Sequence, residues 1–342
     1  MRVLLDTTYA QRGPSGTGVY IEQLTAALRD AGVEVVEAAN DQRPAPAGGG
    51  LGSARNFALD ARWMQVELPR RAREVDADVL HHPLPALAVR APCAQVVTVH
   101  DLAFERLPEL FAPAFRRYAS LTHRRAARGA DAVVCVSQTT RRDALARWGV
   151  DDAKVVVAPH GPGQQPRLVA AVRAEHFLYV GDDEPRKNLG LLLDAYARYR
   201  AAGTRADPAL PLVLAGRATA TGEGVRCERT PDLAKLLNGA AALVHPALHE
   251  GFGLTVLEAM SVGVPVLAAR SPGLVETVGQ AALLFDPYDA GELANALEHV
   301  ATQPALRADL ARRGRERAAA FSWPASAQAH MQAYTLATWP VA

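Results

Sequence analysis

Short apolar runs alternate with longer amphipathic stretches along most of the chain. Residues 3–5 form the first such run, followed by a polar, glycine-bearing loop through Gly18. Val19, Ile21, Leu24, Ala27, Leu28 and Ala31 then recur at helical spacing until Gly32 stops them. Residues 33–39 read as the next strand, and further strands are predicted at 79–81, 96–99, 132–136 and 155–158, with a helix over 140–148 closed by Gly149. A second set opens at His176: a strand at 177–180, a helix over 188–202, a strand at 212–215 and a buried-type run at 241–245. A helical pattern starting at Thr255 and stopped by Gly263 and Pro265 follows, and the alternation continues to 283–285. Such alternation implies βαβ units around parallel sheets.

Residues 159–166, Pro-His-Gly-Pro-Gly-Gln-Gln-Pro, separate the two sets and are rich in turn formers, so they read as a hinge. Residues 43–52 are Pro/Gly-rich and predict a surface loop. At 342 residues the chain exceeds the usual size of one core. The predicted architecture is therefore α/β, two doubly wound Rossmann-like domains, at 1–163 and 164–322, with a last helical stretch over 323–342. In sheets of this kind ligands sit outside the carboxyl ends of the strands, which is where every motif below falls.

Composition narrows the function. A hydrophobic fraction of 49% fits a well-buried protein, and a formal net charge of +1 argues against nucleic acid as main partner. Cys93, Cys135 and Cys227 are isolated, without the C-x-x-C spacing of zinc or redox sites, which fits a reduced cytoplasmic compartment. An acid, Asp6, interrupts the N-terminal apolar run before it could form a signal sequence, and no segment approaches the length of a membrane span. Arg116, Arg117, His123, Arg124, Arg125 and Arg128 make a basic stretch. It reads first as a solvated face; the alternative is a weak peripheral contact with anionic lipid at the inner face of the membrane, or with a phosphorylated acceptor.

Five segments carry candidate chemistry. In residues 249–260, His-Glu-Gly-Phe-Gly-Leu-Thr-Val-Leu-Glu-Ala-Met, Glu250 and Glu258 stand seven residues apart around a glycine-bracketed aromatic at a strand-to-helix turn. Backbone amides there can face an anion. Glu258 has a bland alternative, since Thr255-Val256-Leu257-Glu258 fits a capping box. In residues 180–188, Gly181 starts a turn in which Arg186 and Lys187 precede a helix, a cationic pair suited to a diphosphate; the rival is a solvated loop with Arg186 paired to Asp182 or Asp183. Gly16 and Gly18 belong to the first glycine loop, which lacks the third glycine of the dinucleotide fingerprint, although Glu37 could mimic its ribose-binding acid. His100 ends the run Val97-Thr98-Val99 beside Asp101, and Ser137 follows residues 133–136. Adjacent residues at a strand end point apart and no H-x3-H spacing appears, so no metal site is expected.

Glu250 to Met260, with G-F-G-L before the second acid and L-E-A-M after it, together with the Pro185-Arg186-Lys187-Asn188 turn, resembles the family 4 retaining glycosyltransferases of the GT-B fold. That resemblance implies a hexosyltransferase using a nucleoside-diphosphate sugar, GDP- or UDP-linked, as donor, with no resident cofactor or metal. The acceptor would be a carbohydrate, a lipid-linked intermediate or a natural product. It places Glu250 and His100 at the donor sugar and Glu258 on the ribose diol. Arg186 and Lys187 fall on the diphosphate, with Gly16, Gly18, Ser137, Gly181, Gly251, Phe252, Gly253, Leu254, Thr255 and Val256 lining the donor. It also implies that the C-terminal helix crosses back to the first domain. Residues 216–228 are short where relatives carry a helix, His249 stands where an aromatic is common, and Thr255 where proline is common. A sugar-nucleotide epimerase and a non-catalytic sugar-nucleotide-binding subunit share these features and stay open at this point.

Overall fold

The computed structural model describes residues 1–12, 15–42, 51–163, 174–202, 209–229 and 231–339. Gly13 and Pro14 of the glycine loop, residues 43–50 of the surface loop and residues 164–166 of the hinge lie outside them. The chain divides into two compact units, Met1–Glu105 with Phe111–Gly161 and Ser322–Ala342, and Arg106–Leu110 with Pro162–Phe321.

The first unit holds β1 (Arg2–Asp6), β2 (Glu34–Ala38), β3 (Val79–His82), β4 (Ala94–Val99), β5 (Ala132–Cys135) and β6 (Val155–Val157), all parallel in the order β2-β1-β3-β4-β5-β6. The second holds β7 (His176–Val180), β8 (Leu212–Ala215), β9 (Val225–Glu228), β10 (Ala240–His245), β11 (Val266–Ala269) and β12 (Leu283–Phe285), also parallel, in the order β12-β11-β10-β7-β8-β9. The central strands are buried along their whole length, β5 and β10 for instance, because helices cover both faces of a parallel sheet. Strand order reverses between β1 and β3 in one sheet and between β7 and β10 in the other. At such a reversal the crossovers on either side diverge and open a crevice at the strand carboxyl ends.

Three local expectations change. The first helix runs Gly16–Asp30, so Gly16 and Gly18 make its first turn and do not belong to a loop. The physical cause is Ser15, whose Oγ accepts from the Gly18 amide at 3.0 Å and starts the helix despite two poor helix formers. The helix expected over 140–148 starts at Gln138, capped by Ser137, and its last turn widens at Ala144–Trp148 before Gly149 closes it at φ 64. Residues 216–228 contain β9 at the sheet edge, extending the ladder from β8.

The C-terminal helix Trp323–Thr338 packs on β3, β4, β5 and β6 and on the Gly16–Asp30 helix. Gly161 permits its approach, since a Cβ there would lie 2.6 Å from Trp323. A chain of buried hydrogen bonds then fixes it. His330 Nδ1 donates to the Ser326 carbonyl at 2.7 Å, which leaves Nε2 to accept from the Tyr20 hydroxyl at 2.9 Å. Tyr20 accepts in turn from Thr98 Oγ1 at 2.8 Å, Thr98 from His81 Nε2 at 2.9 Å, and His81 Nδ1 from the Tyr334 hydroxyl at 2.8 Å. The terminal carbonyl only accepts, so it dictates the direction of every bond before it.

Candidate functional site

The second unit gathers its chemistry where β7 meets β10. After β7 the chain turns through Gly181 and a single tight turn at Pro185–Lys187 before the helix Leu189–Ala201. Asn188, at the junction, adopts φ 57 and ψ 38, a left-handed conformation unusual outside glycine. Its Nδ2 donates to the Pro246 carbonyl at 3.2 Å and the Pro287 carbonyl at 2.8 Å, so one side chain ties together the turns after β7, β10 and β12. The Leu248 amide also donates to the Arg186 carbonyl at 2.9 Å. These contacts bring two turns distant in sequence into register.

Glu250 is the hub. Its Oε1 accepts from Arg186 Nη1 at 3.3 Å, from His245 Nε2 at 3.3 Å and, at closer range, from Lys187 Nζ. Burial alone would raise the Glu250 pKa, but Lys187, the His245 hydrogen bond and Arg186 outweigh it and hold the carboxyl well below the usual range. His245 titrates below its ordinary value because burial dominates, although its bond to Glu250 favours the charged form. The group is thus an ionised carboxylate shared between two cations, with a neutral imidazole donating from beneath. Asp182 of the same turn pairs with Arg217 Nε at 3.0 Å, which lowers its pKa. Arg186 Nε meets Glu184 at 2.9 Å.

Beyond Glu250, the helix Leu254–Ser261 starts on Gly253 at φ 93 and ψ 59, and no side chain caps its first turn. A Cβ on Gly253 would lie 2.8 Å from Leu274, and one on Gly273 1.9 Å from the Glu250 carbonyl, so both glycines are needed for the close backbone packing. Gly251, Phe252 and Gly253 are buried, Leu254 and Thr255 half-buried, and Val256 and Glu258 buried. The Phe252 ring packs edge-on against Phe321 at 5.5 Å, and its carbonyl accepts from Thr277 Oγ1. Because Gly253 occupies the N-cap, Thr255 is the second helical residue and Glu258 the fifth. The capping box is therefore geometrically absent, and Glu258 is a buried acid, 6% exposed, one turn into the helix.

In the first unit, His100 Nε2 lies 2.9 Å from the Pro83 carbonyl, so that nitrogen carries the proton and Nδ1 is left as an acceptor. Burial lowers its pKa. Its ring meets Tyr20, two residues beyond Gly18, edge-on at 4.8 Å. Ser137 Oγ accepts from the Thr140 amide at 3.0 Å as a helix cap, and Thr140 Oγ1 donates to the His100 carbonyl at 3.2 Å. Gly16, Gly18, His100 and Ser137 thus share the first unit, and the other candidate residues share the second. Glu37, at the end of β2, pairs with Arg29 at 2.9 Å on the surface, which ends its resemblance to a ribose-binding acid.

Comparison with known proteins identifies the family and the fold. Residues 14–162 match the model of Glycosyltransferase Family 4, and residues 164–317 that of Glycosyl transferases group 1. The chain belongs to the family 4 glycosyltransferases. This glycosyltransferase is 28% identical to the O-antigen chain mannosyltransferase B of Escherichia coli over 88% of its own length and 86% of that protein's. Among solved structures it is similar to a sucrose-phosphate synthase of Thermosynechococcus elongatus, with a TM-score of 0.79, 21% identity and 98% of both chains covered. It is also similar to the Anabaena HepE protein crystallised with UDP-glucose, with a TM-score of 0.74, 19% identity and 97% and 98% covered. The fold is accordingly GT-B.

Two residues in the site escape sequence reading. His245 ends a strand that looks purely structural, and only the spacing of five residues to Glu250 hints that it supports the acid. Asn188 stands in the motif, but its left-handed backbone and its two carbonyl partners belong to the tertiary structure alone. Among the described residues no group of three His, Cys, Asp or Glu side chains could hold a metal ion, and no helix is long and apolar enough to cross a membrane.

Proposed function

We propose that this glycosyltransferase moves a hexose-type sugar, with retention, from a GDP- or UDP-linked donor to an acceptor hydroxyl without a metal. The observation that carries the reading is the junction of Arg186, Lys187 and Glu250 at the switch point of the second sheet. A diphosphate needs concentrated positive charge, and Arg186 and Lys187 stand side by side there, held against Glu250 and the more exposed Glu184, with the uncapped first turn of the Leu254–Ser261 helix adding its positive end. The buried carboxylate of Glu258, an acceptor only, suits the two vicinal hydroxyls of ribose.

In the proposed step the acceptor oxygen bonds to the anomeric carbon on the face from which the donor phosphate leaves. The anomeric C–O bond breaks with its electron pair going to the phosphate, and a phosphate oxygen takes the acceptor's proton. Arg186 and Lys187 stabilise the leaving diphosphate. Glu250, kept ionised by its neighbours, orients the sugar and offsets positive charge developing at its anomeric carbon. His100 presents Nδ1 as an acceptor for a sugar hydroxyl. Support from relatives is the mannosyltransferase likeness and the UDP-glucose bound by HepE.

A thermal-shift series with GDP, UDP, ADP and their hexose conjugates tests the donor, since a ligand of the native state raises the melting temperature by mass action. Product analysis with the best conjugate and candidate acceptors then separates transfer from epimerisation, which needs no acceptor. No stabilisation by any nucleoside diphosphate would overturn the reading.

A further inference from the structure

The helix Pro113–Gly129 contains Arg116, Arg117, Arg124, Arg125 and Arg128 and no acidic residue, in a chain whose net charge is only +1. It buries only Ala119, Ala126 and Ala127. On its outer face Arg117, Tyr118, Leu121, Arg124, Arg125 and Arg128 follow one another at spacings of three and four, forming a continuous exposed stripe. Leu121 is 70% exposed and Tyr118 51%, and Phe57 of the neighbouring helix, 58% exposed, meets Tyr118 edge-on at 5.9 Å. Phe115, at the start of the helix, is 49% exposed.

An ordinary solvated face looks different, and the same chain contains one. On the helix Pro304–Ala318, Arg312 pairs with Asp309 at 2.8 Å and Glu316 at 2.9 Å, and Arg313 pairs with Asp309 at 2.8 Å. By contrast Arg117, Arg124, Arg125 and Arg128 make no ion pair among the described residues. Asp60 lies near enough to Tyr118 to help raise its pKa, although burial is the larger cause, and Glu105 accepts from Ser120 Oγ of the same helix.

We infer that the Arg117–Arg128 face, with Tyr118, Leu121, Phe115 and Phe57, docks the protein on an anionic lipid bilayer. Positive charge supplies the long-range attraction, and the exposed aromatic and aliphatic side chains gain by entering the headgroup region. Neither a purely basic patch nor a purely apolar one would combine the two. Of the acceptor classes open to this enzyme, docking favours one anchored in the bilayer. The inference is independent of the donor reading, because none of these residues belongs to the site described above.

The test is vesicle flotation of the full chain. We expect binding to vesicles of phosphatidylglycerol mixed with phosphatidylcholine, loss of that binding in high salt, and little binding to phosphatidylcholine alone. Each surface-facing arginine is worth about fivefold in partition, so the combined R124Q, R125Q and R128Q variant should bind on the order of a hundredfold more weakly. Leu121→Ser should weaken binding further at every salt concentration. Melting temperature and thermal shift by nucleoside diphosphates should be unchanged in these variants, which separates failure of docking from failure of the donor reading. Equal binding to neutral vesicles, no binding to anionic ones, or an unaffected triple variant would each overturn the inference. So would binding to a phosphopeptide or other soluble polyanion without binding to vesicles.

Discussion

Lys187 and Glu250, 63 residues apart in sequence, form a largely buried ion pair, the two side chains being 17% and 12% exposed. Arg186 and His245 converge on the same carboxylate oxygen. The four side chains therefore form a single electrostatic unit, and removing one member changes the others.

Lys187→Ala and Arg186→Ala should each weaken nucleoside diphosphate binding by about 1–3 kcal/mol, the range for a charge-assisted hydrogen bond. Since both meet Glu250, the double variant should depart from additivity. Isothermal calorimetry on the three variants measures this; unchanged affinity in all three removes the clamp.

Glu250→Gln and Glu258→Gln should fail differently. Glutamine keeps the shape and loses the charge, so the first should depress kcat, and the second should raise donor KM by about tenfold or more with kcat little changed. With Gly253 at the N-cap, Glu258 supports no capping box, so its variant should melt close to the parent. Loss of melting temperature with unmoved kinetics would assign Glu258 to the fold.

Asn188→Gly should lose two side-chain hydrogen bonds, and Asn188→Ala those bonds together with the left-handed backbone it cannot easily hold. Alanine should therefore be the more destabilising by about 1 kcal/mol, out of a total near 2–4 kcal/mol. Denaturant melts of the two variants decide whether the backbone conformation matters independently of the bonds.

Stability should fall as pH drops below the ordinary histidine range. Burial lowers the His330 pKa to about 4, so between about 6.5 and 4 the unfolded chain takes a proton that the native state refuses. The contribution is complete above about 6.5 and is lost on descending, by on the order of 3 kcal/mol for this residue. His81 and His160, both lowered by burial, act in the same direction. In denaturant melts at several pH values, His330→Gln should flatten this dependence by about one proton; an identical slope would contradict it.

Turnover should persist in excess chelator, because in the proposed mechanism Arg186 and Lys187 bring to the diphosphate the charge a metal would otherwise supply. Loss of activity restored by magnesium or manganese would reverse that assignment.

The alternation of apolar runs and helical patterns, with Gly149 and Gly263 as stops, was enough to read two parallel α/β sets from local chemistry, because strand burial and helix periodicity leave their period in the chain. The segments bearing Arg186, Lys187, Glu250 and Glu258 were equally legible, since each motif is contiguous. Ser15 is a local capping signal for the earlier helix start, set against the poor helix propensity of Gly16 and Gly18, and the displacement of Thr255 by Gly253 as the N-cap follows from the backbone packing against Leu274. The convergence of Lys187, Arg186 and His245 on Glu250 was decided only when β7 and β10 paired side by side, bringing the turn after each strand within hydrogen-bonding reach. Asn188 shows the same division: its identity is written in the chain, but its left-handed backbone is held by carbonyls 58 and 99 residues away, which only the folded sheet delivers.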